Sequence, residues 1–371
     1  MNESSPLPFT DLRPGEDAAF VSAAVTRVIE AGWFVLGPEV EAFETEFASA
    51  CGARFAVGVG NGTDAITLAL RALDIGPGDE VIVPAITAAF TGLAVIACGA
   101  IPRIVDVEQA TLTLDPAACA AAVTARTKAI VPVHLYGQAA DMTAIRRLAE
   151  RHALAIVEDC CQAHLATDNG VPVGTRSEAA AFSFYPTKNL GALGDGGAIV
   201  TNDAAVAEHA RRTRNGGQSP RHHHVEPGVN SRLDEMQAAI LRARLVRLPA
   251  MTHRRREIGR FYRQQLTSAV AIPLERDAGH VYHLFPIRSR QRDALQAHLQ
   301  AAGVETLIHY PLALSDQRAF RNYAPAPCSV ASAAAAELLS LPLDPRLSNE
   351  QLARVVEAVN GFAGHAGAPL V

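Results

Sequence analysis

The sequence has no surplus of positive charge: 33 Lys and Arg stand against 38 Asp and Glu, a formal net charge of -5. Its basic clusters, Arg211 to Arg214 and Arg254 to Arg256, are short and local, which argues against a nucleic-acid partner. No stretch reaches the ~20 uninterrupted apolar residues of a membrane span. The opening "MNESSPLPFTDLRPGEDAAF" lacks a basic region followed by an apolar run, so the expected location is the cytoplasm. Six cysteines in 371 residues form no Cys-x-x-Cys pair. They do not resemble the framework of a small secreted domain and read as free thiols. Cys160 and Cys161 follow "LAIVED" and read as closing a buried strand, where cysteine acts as a small apolar residue. No internal repeat or low-complexity tract is present.

What the chain does have is apolar content, 49% hydrophobic, enough for a large core and two domains. From about residue 55, short apolar runs alternate with helical patterns: "EVIVPA", "PRIVDV", "AIVPVHL", "LAIVED", "AAFSF" and "GAIVT". Runs of this kind, without polar alternation, belong to strands covered on both faces of a mostly parallel sheet. Between them, Thr63 to Leu73 places Ile66, Ala69, Leu70 and Leu73 on one helical face. Asp115, followed by Pro116, and Asp141 read as helix N-caps. The expectation is an α/β fold with helices on both faces of the sheet. Beyond Pro249 the character changes. "HRRREIGRFYRQQL" and "DALQAHLQAAGV" read as helices, "HVYHLFPIRS" as a strand, "ETLIHYPLAL" as a strand or loop and "VASAAAAELL" as an alanine-rich helix. The boundaries expected are 1–249 for a large domain and 250–371 for a smaller α+β domain.

Three stations carry chemistry. In "GVGNGTDAITLALRAL", Gly58, Gly60 and Gly62 lead into a helix near Thr63, and unpaired N–H groups at a helix start form an anion site. A dinucleotide fingerprint nearly fits but has Thr63 where close helix packing wants Gly or Ala; a purely structural turn is the other alternative. In "LAIVEDCCQAH", Glu158 and Asp159 stand at the carboxyl end of a buried strand, where open α/β sheets place ligands. Either a helix cap or ion pair, or a partner for a protonated ring nitrogen, accounts for a carboxylate there. In "SFYPTKNLGALGDGGAIV", Lys188 follows a strand carrying Ser183. A lone loop lysine is ordinarily a solvated charge, but Gly191, Gly194, Gly196 and Gly197 clear side chains from the backbone after it, as for a close ligand. A phosphate cradle, a strand-end carboxylate and a crowded lysine fit pyridoxal 5'-phosphate. The lysine forms a Schiff base and moves a proton, and the carboxylate keeps the pyridine nitrogen protonated.

Together "GNGTDAITLAL", "VHLYGQAADM", "VEDCCQAH", "SFYPTKNLGALGDGGAIVTND", "RNGGQ" and "NSRLDEMQAAIL" resemble the DegT/DnrJ/EryC1/StrS family of sugar aminotransferases, over residues 30 to 345 or so. The resemblance implies an aspartate-aminotransferase-like, fold type I subunit working as a homodimer with shared active sites. It implies Lys188 as the Schiff-base lysine and Asp159 as the partner of the pyridine nitrogen. Gly62, Thr63 and Ser183 would contact the phosphate, Gln162 the phenolic oxygen, and Phe90 would stack on the ring. Asn230 would reach the phosphate of the neighbouring subunit's cofactor. Read without the family, Phe90 is equally a core residue and Asn230 a helix N-cap.

A lysine rather than a histidine at 188 implies amino transfer rather than dehydration. The donor would be an amino acid, L-glutamate, and the acceptor a nucleotide-linked, dTDP-type 3-keto-6-deoxyhexose. "VHLYGQ", "VETLIHYPLALSDQRAF" and "LLSLPLDP" look most like that 3-amino branch, with 4-keto-sugar or cyclitol transfer and a non-catalytic regulator as alternatives. Tyr185, His309 and Tyr310 are the implied substrate residues. Leu165 stands where relatives commonly carry glycine and is expected to reshape the pocket. The run His222 to His224 is not expected to bind metal, since consecutive side chains rarely converge on one ion; it reads as a mobile loop near the interface.

Overall fold

The computed structural model describes residues 6–267 and 270–362. Two helices, α1 (Ala18–Ala31) and α2 (Pro38–Cys51), come first, and each ends on a left-handed glycine, Gly32 at φ 64° and Gly52 at φ 71°. Glycine has no Cβ to clash in that conformation. Then follow β1 (Phe55–Val59), α3 (Gly62–Ala72), β2 (Glu80–Pro84), α4 (Ala89–Ala97), β3 (Ile101–Val105), α5 (Pro116–Ala122), β4 (Thr127–Ile130), α6 (Met142–His152) and β5 (Ala155–Asp159). The Asp115 and Asp141 carboxylates accept the N–H groups of Ala117 (2.8 Å) and Ala144 (2.9 Å), capping α5 and α6 as their positions predict. A small hairpin of β6 (Thr167–Asp168) and β7 (Val171–Pro172) precedes β8 (Ala179–Ser183), β9 (Gly197–Thr201), α7 (Ala204–Thr213) and α8 (Glu235–Leu245).

Seven of these strands form one sheet in the order β1-β9-β8-β5-β4-β2-β3. β9 runs antiparallel to both neighbours and the remaining pairs are parallel. Every residue of β2 and β9 is buried, as the unalternating apolar runs require. Successive strand residues serve opposite faces. Val57, Val157, Ala181 and Ile199 enter one apolar cluster with α3, whereas Ala56, Ala180, Phe182, Ala198 and Val200 enter another with Phe43 and Phe47 of α2.

The remaining elements are α9 (Leu248–Gln265), β10 (Phe285–Arg288), α10 (Arg292–Ala301), α11 (Ser329–Glu337), β11 (Leu338–Leu341) and α12 (Asn349–Asn360). Apart from α11, whose Ala331 and Ala334 join the cluster on the α3 face of the sheet, they build a separate apolar cluster around Ile258, Tyr262, Phe285, Leu299 and Val355, which Leu7 from the start of the chain joins. "HVYHLFPIRS" is a strand only from Phe285 onward. Before it, the N–H groups of Val281 and His283 bond to the carbonyls of Gly137 and Tyr136, so that stretch is tied to the loop after β4 instead of to β11. "ETLIHYPLAL" is a loop with a single bridge from Leu307 to Ser340.

Candidate active site

The strand end at β5 sorts its two carboxylates by face. Glu158 turns into a buried polar knot in which it accepts from His134 Nε2 (2.7 Å), Gly174 N (2.7 Å) and Ser177 Oγ (2.6 Å). His134 Nδ1 accepts from the N–H of Ala140, so the ring proton sits on Nε2. Burial pushes the Glu158 carboxyl up, but the hydrogen bonds from His134, Ser177 and Gly174 outweigh it and hold it below its ordinary value. Glu158 is thus spent on holding the loop. With Cys160, this pair is the cluster closest to metal-ligand geometry among the described residues, yet its carboxylate oxygens already have donors. Asp159, also buried, faces the other way. Its Oδ2 accepts from Thr91 Oγ1 (2.8 Å) and its Oδ1 from Cys161 N (3.1 Å), and neither donor is a cation. An ionised carboxylate in that position lacks the charged partner that burial calls for.

The start of α3 lies beside it. Asn61 caps the helix by accepting the N–H of Asp64 at 2.9 Å, which leaves the N–H groups of Gly62 and Thr63 without intrahelical partners. A Cβ on Gly62 would lie 2.8 Å from both Cys161 Sγ and Ser183 Cβ. The first turn of α3, the end of β8 and the residue pair after β5 therefore meet at Gly62, and only glycine fits there. The glycines after Lys188 do a different job from the one the sequence suggests. Gly191 abuts Pro186, Gly194 abuts Gln237, Gly196 abuts Leu233, and a Cβ on Gly197 would lie 2.4 Å from the Asn61 carbonyl. They admit neighbouring protein, above all the Asn61–Gly62 turn, because Gly197 pairs with both Val59 and Ser183 in the sheet.

Lys188 stands on a tight turn whose N–H bonds to Tyr185 O at 2.8 Å. Its amine is partly buried. Desolvation lowers its pKa, and the charges of Cys161 and Asp159 oppose that shift only in part. The Asp159 carboxylate is thus close enough for its charge to act on the amine. Gln162 closes another wall, accepting from Tyr136 N (2.7 Å) and donating through Nε2 to Tyr310 Oη (2.9 Å). The Tyr136 hydroxyl donates to the carbonyl of His309 at 2.5 Å. The loop bearing His309 and Tyr310 is thereby fastened to the sheet side of the site. Burial and the charge of Lys188 bring the His309 pKa down to about 4, so its ring is neutral at pH 7.

Phe90 is 62% exposed in the first turn of α4, one residue before Thr91, so it is not a core residue in this chain. Tyr185 is also exposed, at 52%. Asn230 does not cap α8, whose N-cap position is Asp234. It lies exposed beside Ser231, whose hydroxyl accepts the N–H of Gly60 (2.9 Å) and donates to Asp64 (2.6 Å). His222 to His224 are exposed, and the His224 ring bonds to Gly216 O at 2.7 Å. Both cysteines lie just past β5, which ends at Asp159, instead of closing it: Cys160 is fully buried as a small apolar residue, and Cys161 forms part of the floor under Gly62. Thr91 carries no sequence signal, and Cys161 and Tyr136 lie in quoted motifs without being given a role, because only the fold brings the three to Asp159 and Gln162.

Leu165 has φ 64°, the left-handed conformation that favours glycine, and its side chain packs against the Phe43 and Phe47 cluster. Its departure from glycine concerns the backbone more than the pocket. A non-glycine residue there costs roughly 1–2 kcal/mol, which the partly buried side chain offsets. Leu165→Gly should therefore change stability by less than about 1 kcal/mol, whereas Leu165→Val, β-branched at positive φ, should destabilise by about 1–2 kcal/mol. Denaturant midpoints of the two variants check this.

The fold and this chamber define a class, the aminotransferases that work through vitamin B6 phosphate. Residues 16–360 match the DegT/DnrJ/EryC1/StrS aminotransferase family, and the chain belongs to it. It is 47% identical over 368 residues to a dTDP-3-amino-3,4,6-trideoxy-alpha-D-glucose transaminase of Streptomyces venezuelae, covering 97% of each chain. It is 46% identical to a dTDP-3-amino-3,6-dideoxy-alpha-D-galactopyranose transaminase of Aneurinibacillus thermoaerophilus, covering 96% of this chain and 99% of that one. The crystal structure of S. venezuelae DesV in complex with a ketimine intermediate superposes with a TM-score of 0.95 at 46% identity, over 98% of this chain and 100% of that one. The chain is a pyridoxal-phosphate-dependent sugar aminotransferase of fold type I.

The residues present fit the cofactor. A glycine-floored turn with open N–H groups suits its phosphate, an acid without a cation partner suits its ring nitrogen, and an exposed aromatic stands one residue from Thr91, which binds that acid. When bound, the group supplies an electron sink for the carbon being aminated.

Proposed function

We propose that this enzyme moves an amino group from L-glutamate to C3 of a dTDP-linked 3-keto-6-deoxyhexose. The observation that carries the chemistry is a partly buried lysine whose charge acts with that of an acid held only by neutral donors and in no salt bridge among the described residues, beside the Gly62 turn. Regiochemistry rests on the two relatives, whose products both carry the amine at C3 of a dTDP-linked deoxyhexose and differ at C4. In this reading Lys188 carries the cofactor and shuttles the proton, and Asp159 holds a proton on the ring nitrogen. Gly62, Thr63 and Ser183 bind phosphate, Gln162 faces the phenolic oxygen, Phe90 stacks on the ring, and Tyr185, His309 and Tyr310 line the sugar site. A neutral His309 ring accepts or donates a hydrogen bond to a sugar hydroxyl without adding charge.

The working form is a homodimer in the cytoplasm, with Asn230 reaching the cofactor phosphate held by the second copy. Exposed Phe20, Ile29, Trp33 and Phe34 along and after α1 support an apolar interface, and six free cysteines suit a reducing compartment. Among the described residues no helix is long and apolar enough to cross a membrane.

The test is product analysis by NMR after incubation with L-glutamate and, in turn, dTDP-3-keto-6-deoxyglucose, its 4-keto isomer and inosose. Amine at C3 of the first substrate is expected. Amine at C4 of the second, or turnover of inosose alone, would move the enzyme to another branch. Cofactor binding without any turnover would make the protein a regulator.

A further inference from the structure

A cleft that reaches Lys188 from the side of α9 and the start of the chain, apart from Asp159 and Gln162, is lined by six arginines, and five of them have an acid partner: Arg13 with Asp11, Arg244 with Asp17, Arg247 with Glu16, Arg254 with Glu257 and Arg346 with Asp344. Arg255, on α9, is the sixth and is only 9% exposed. Its Nη1 donates to the carbonyls of Tyr282 (3.1 Å), His283 (3.4 Å) and Leu343 (2.9 Å), and its Nε is buried with no partner. Among the described residues no carboxylate pairs with it, and Asp344, whose charge acts on it, is committed to Arg346 at 2.7 Å. Burial without a counter-ion brings its pKa down to about 10, so it still carries its charge at pH 7.

A buried guanidinium anchored by one nitrogen and left without an anion is a binding group awaiting its ligand. Its surroundings say where that ligand lies. Thr10, Thr187 and Arg255 line both this cleft, which Lys188 also lines, and a smaller cavity walled by Phe9, His283 and His309. His283 feels the charges of both Lys188 and Arg255. Arg255 thus stands between the lysine and the His309 loop. Every α-amino acid donor carries a carboxylate one bond from the carbon whose amine must reach the reacting centre. The diphosphate of a nucleotide sugar is attached through C1, two ring bonds from C3, and carries more charge than one guanidinium answers.

We propose that Arg255 binds the carboxylate of the amino acid donor, with Thr187 beside it. This rests on the amino-transfer reading above and names the residue that admits the first substrate. The reactions of the two substrates separate the two anions. Wild-type holoenzyme, Arg255→Gln and Arg255→Lys are mixed with L-glutamate, and the spectral change of the cofactor gives an apparent affinity. Maleate, a dicarboxylate without an amine, is titrated as a competitor. The pyridoxamine form of each is then reacted with the dTDP-ketosugar.

In Arg255→Gln the affinities for glutamate and maleate should fall about 10- to 100-fold, with the ketosugar reaction unchanged and Arg255→Lys in between. Unchanged affinity for both carboxylates, or a loss confined to the ketosugar step, would overturn the assignment. If Arg255→Gln fails to fold for want of its three carbonyl bonds, Arg255→Lys decides: about 10-fold weaker glutamate binding supports it, and wild-type affinity overturns it. A wild-type enzyme that does not respond to glutamate would instead overturn the choice of donor.

Discussion

Replacing Lys188 with alanine should remove amino transfer, lowering kcat by at least ~10³-fold, because in the proposed reading one group performs both the covalent attachment and the proton movement. The amine sits where desolvation lowers its pKa while Cys161 and Asp159 partly restore it. It is therefore neutral over a wider part of the pH range than a surface lysine, which both nucleophilic attack and proton abstraction need. The variant should stay folded. Among the described residues Lys188 makes no side-chain salt bridge that its loss would break, and its turn is held by the backbone bond to Tyr185 and by Asn189, which donates to Val281 O at 3.1 Å. Steady-state turnover beside a circular dichroism spectrum checks both statements. Retained turnover in a folded variant would remove Lys188 from the chemistry.

Asp159→Asn should be nearly as damaging, a loss on the order of 10³-fold in kcat. The substitution keeps shape and hydrogen-bonding capacity. An amide oxygen still accepts from Cys161 N, and its NH2 can donate to Thr91 Oγ1, which also shares a proton with Thr87 Oγ1 at 2.8 Å. What disappears is the negative charge that, in the proposed reading, keeps a proton on the ring nitrogen. Cofactor binding should weaken modestly while turnover collapses, and that split, measured by absorbance titration and by kcat, distinguishes an electrostatic role from a structural one. Parallel losses of both would point to a misfolded strand end.

Much of the fold was legible because its strands are buried on both faces. Six unalternating apolar runs announced six of the seven strands of the main sheet, and Asp115 and Asp141 announced the starts of their helices. β1 was hidden because its end, Val57 to Val59, merges with the glycine turn before α3. The antiparallel course of β9 carries no local signal, since it depends on which neighbour accepts its hydrogen bonds.

At the site, Lys188, Asp159, Ser183 and Gly62 were readable as residues with an unusual local setting. Their supporting groups were not. Thr91 is one residue from Phe90 and looks like helix interior until α4 is laid against β5. Glu158 and Asp159 look equivalent until the pleat sends one to His134 and the other to the chamber. Arg255 belongs to a basic run that reads as a solvated helix face, and only the packing of α9 against His283 and Leu343 shows it buried.

Lys188 and Lys128 are the only lysines in the chain, and Lys128 is exposed on β4. Borohydride reduction of the holoenzyme followed by proteolysis and mass spectrometry therefore reads the attachment point without ambiguity. The reduced cofactor should be found on the peptide bearing Lys188 and nowhere else. Label on Lys128, or a holoenzyme that carries no reducible lysine adduct, would contradict the assignment of this chamber as the site of amino transfer.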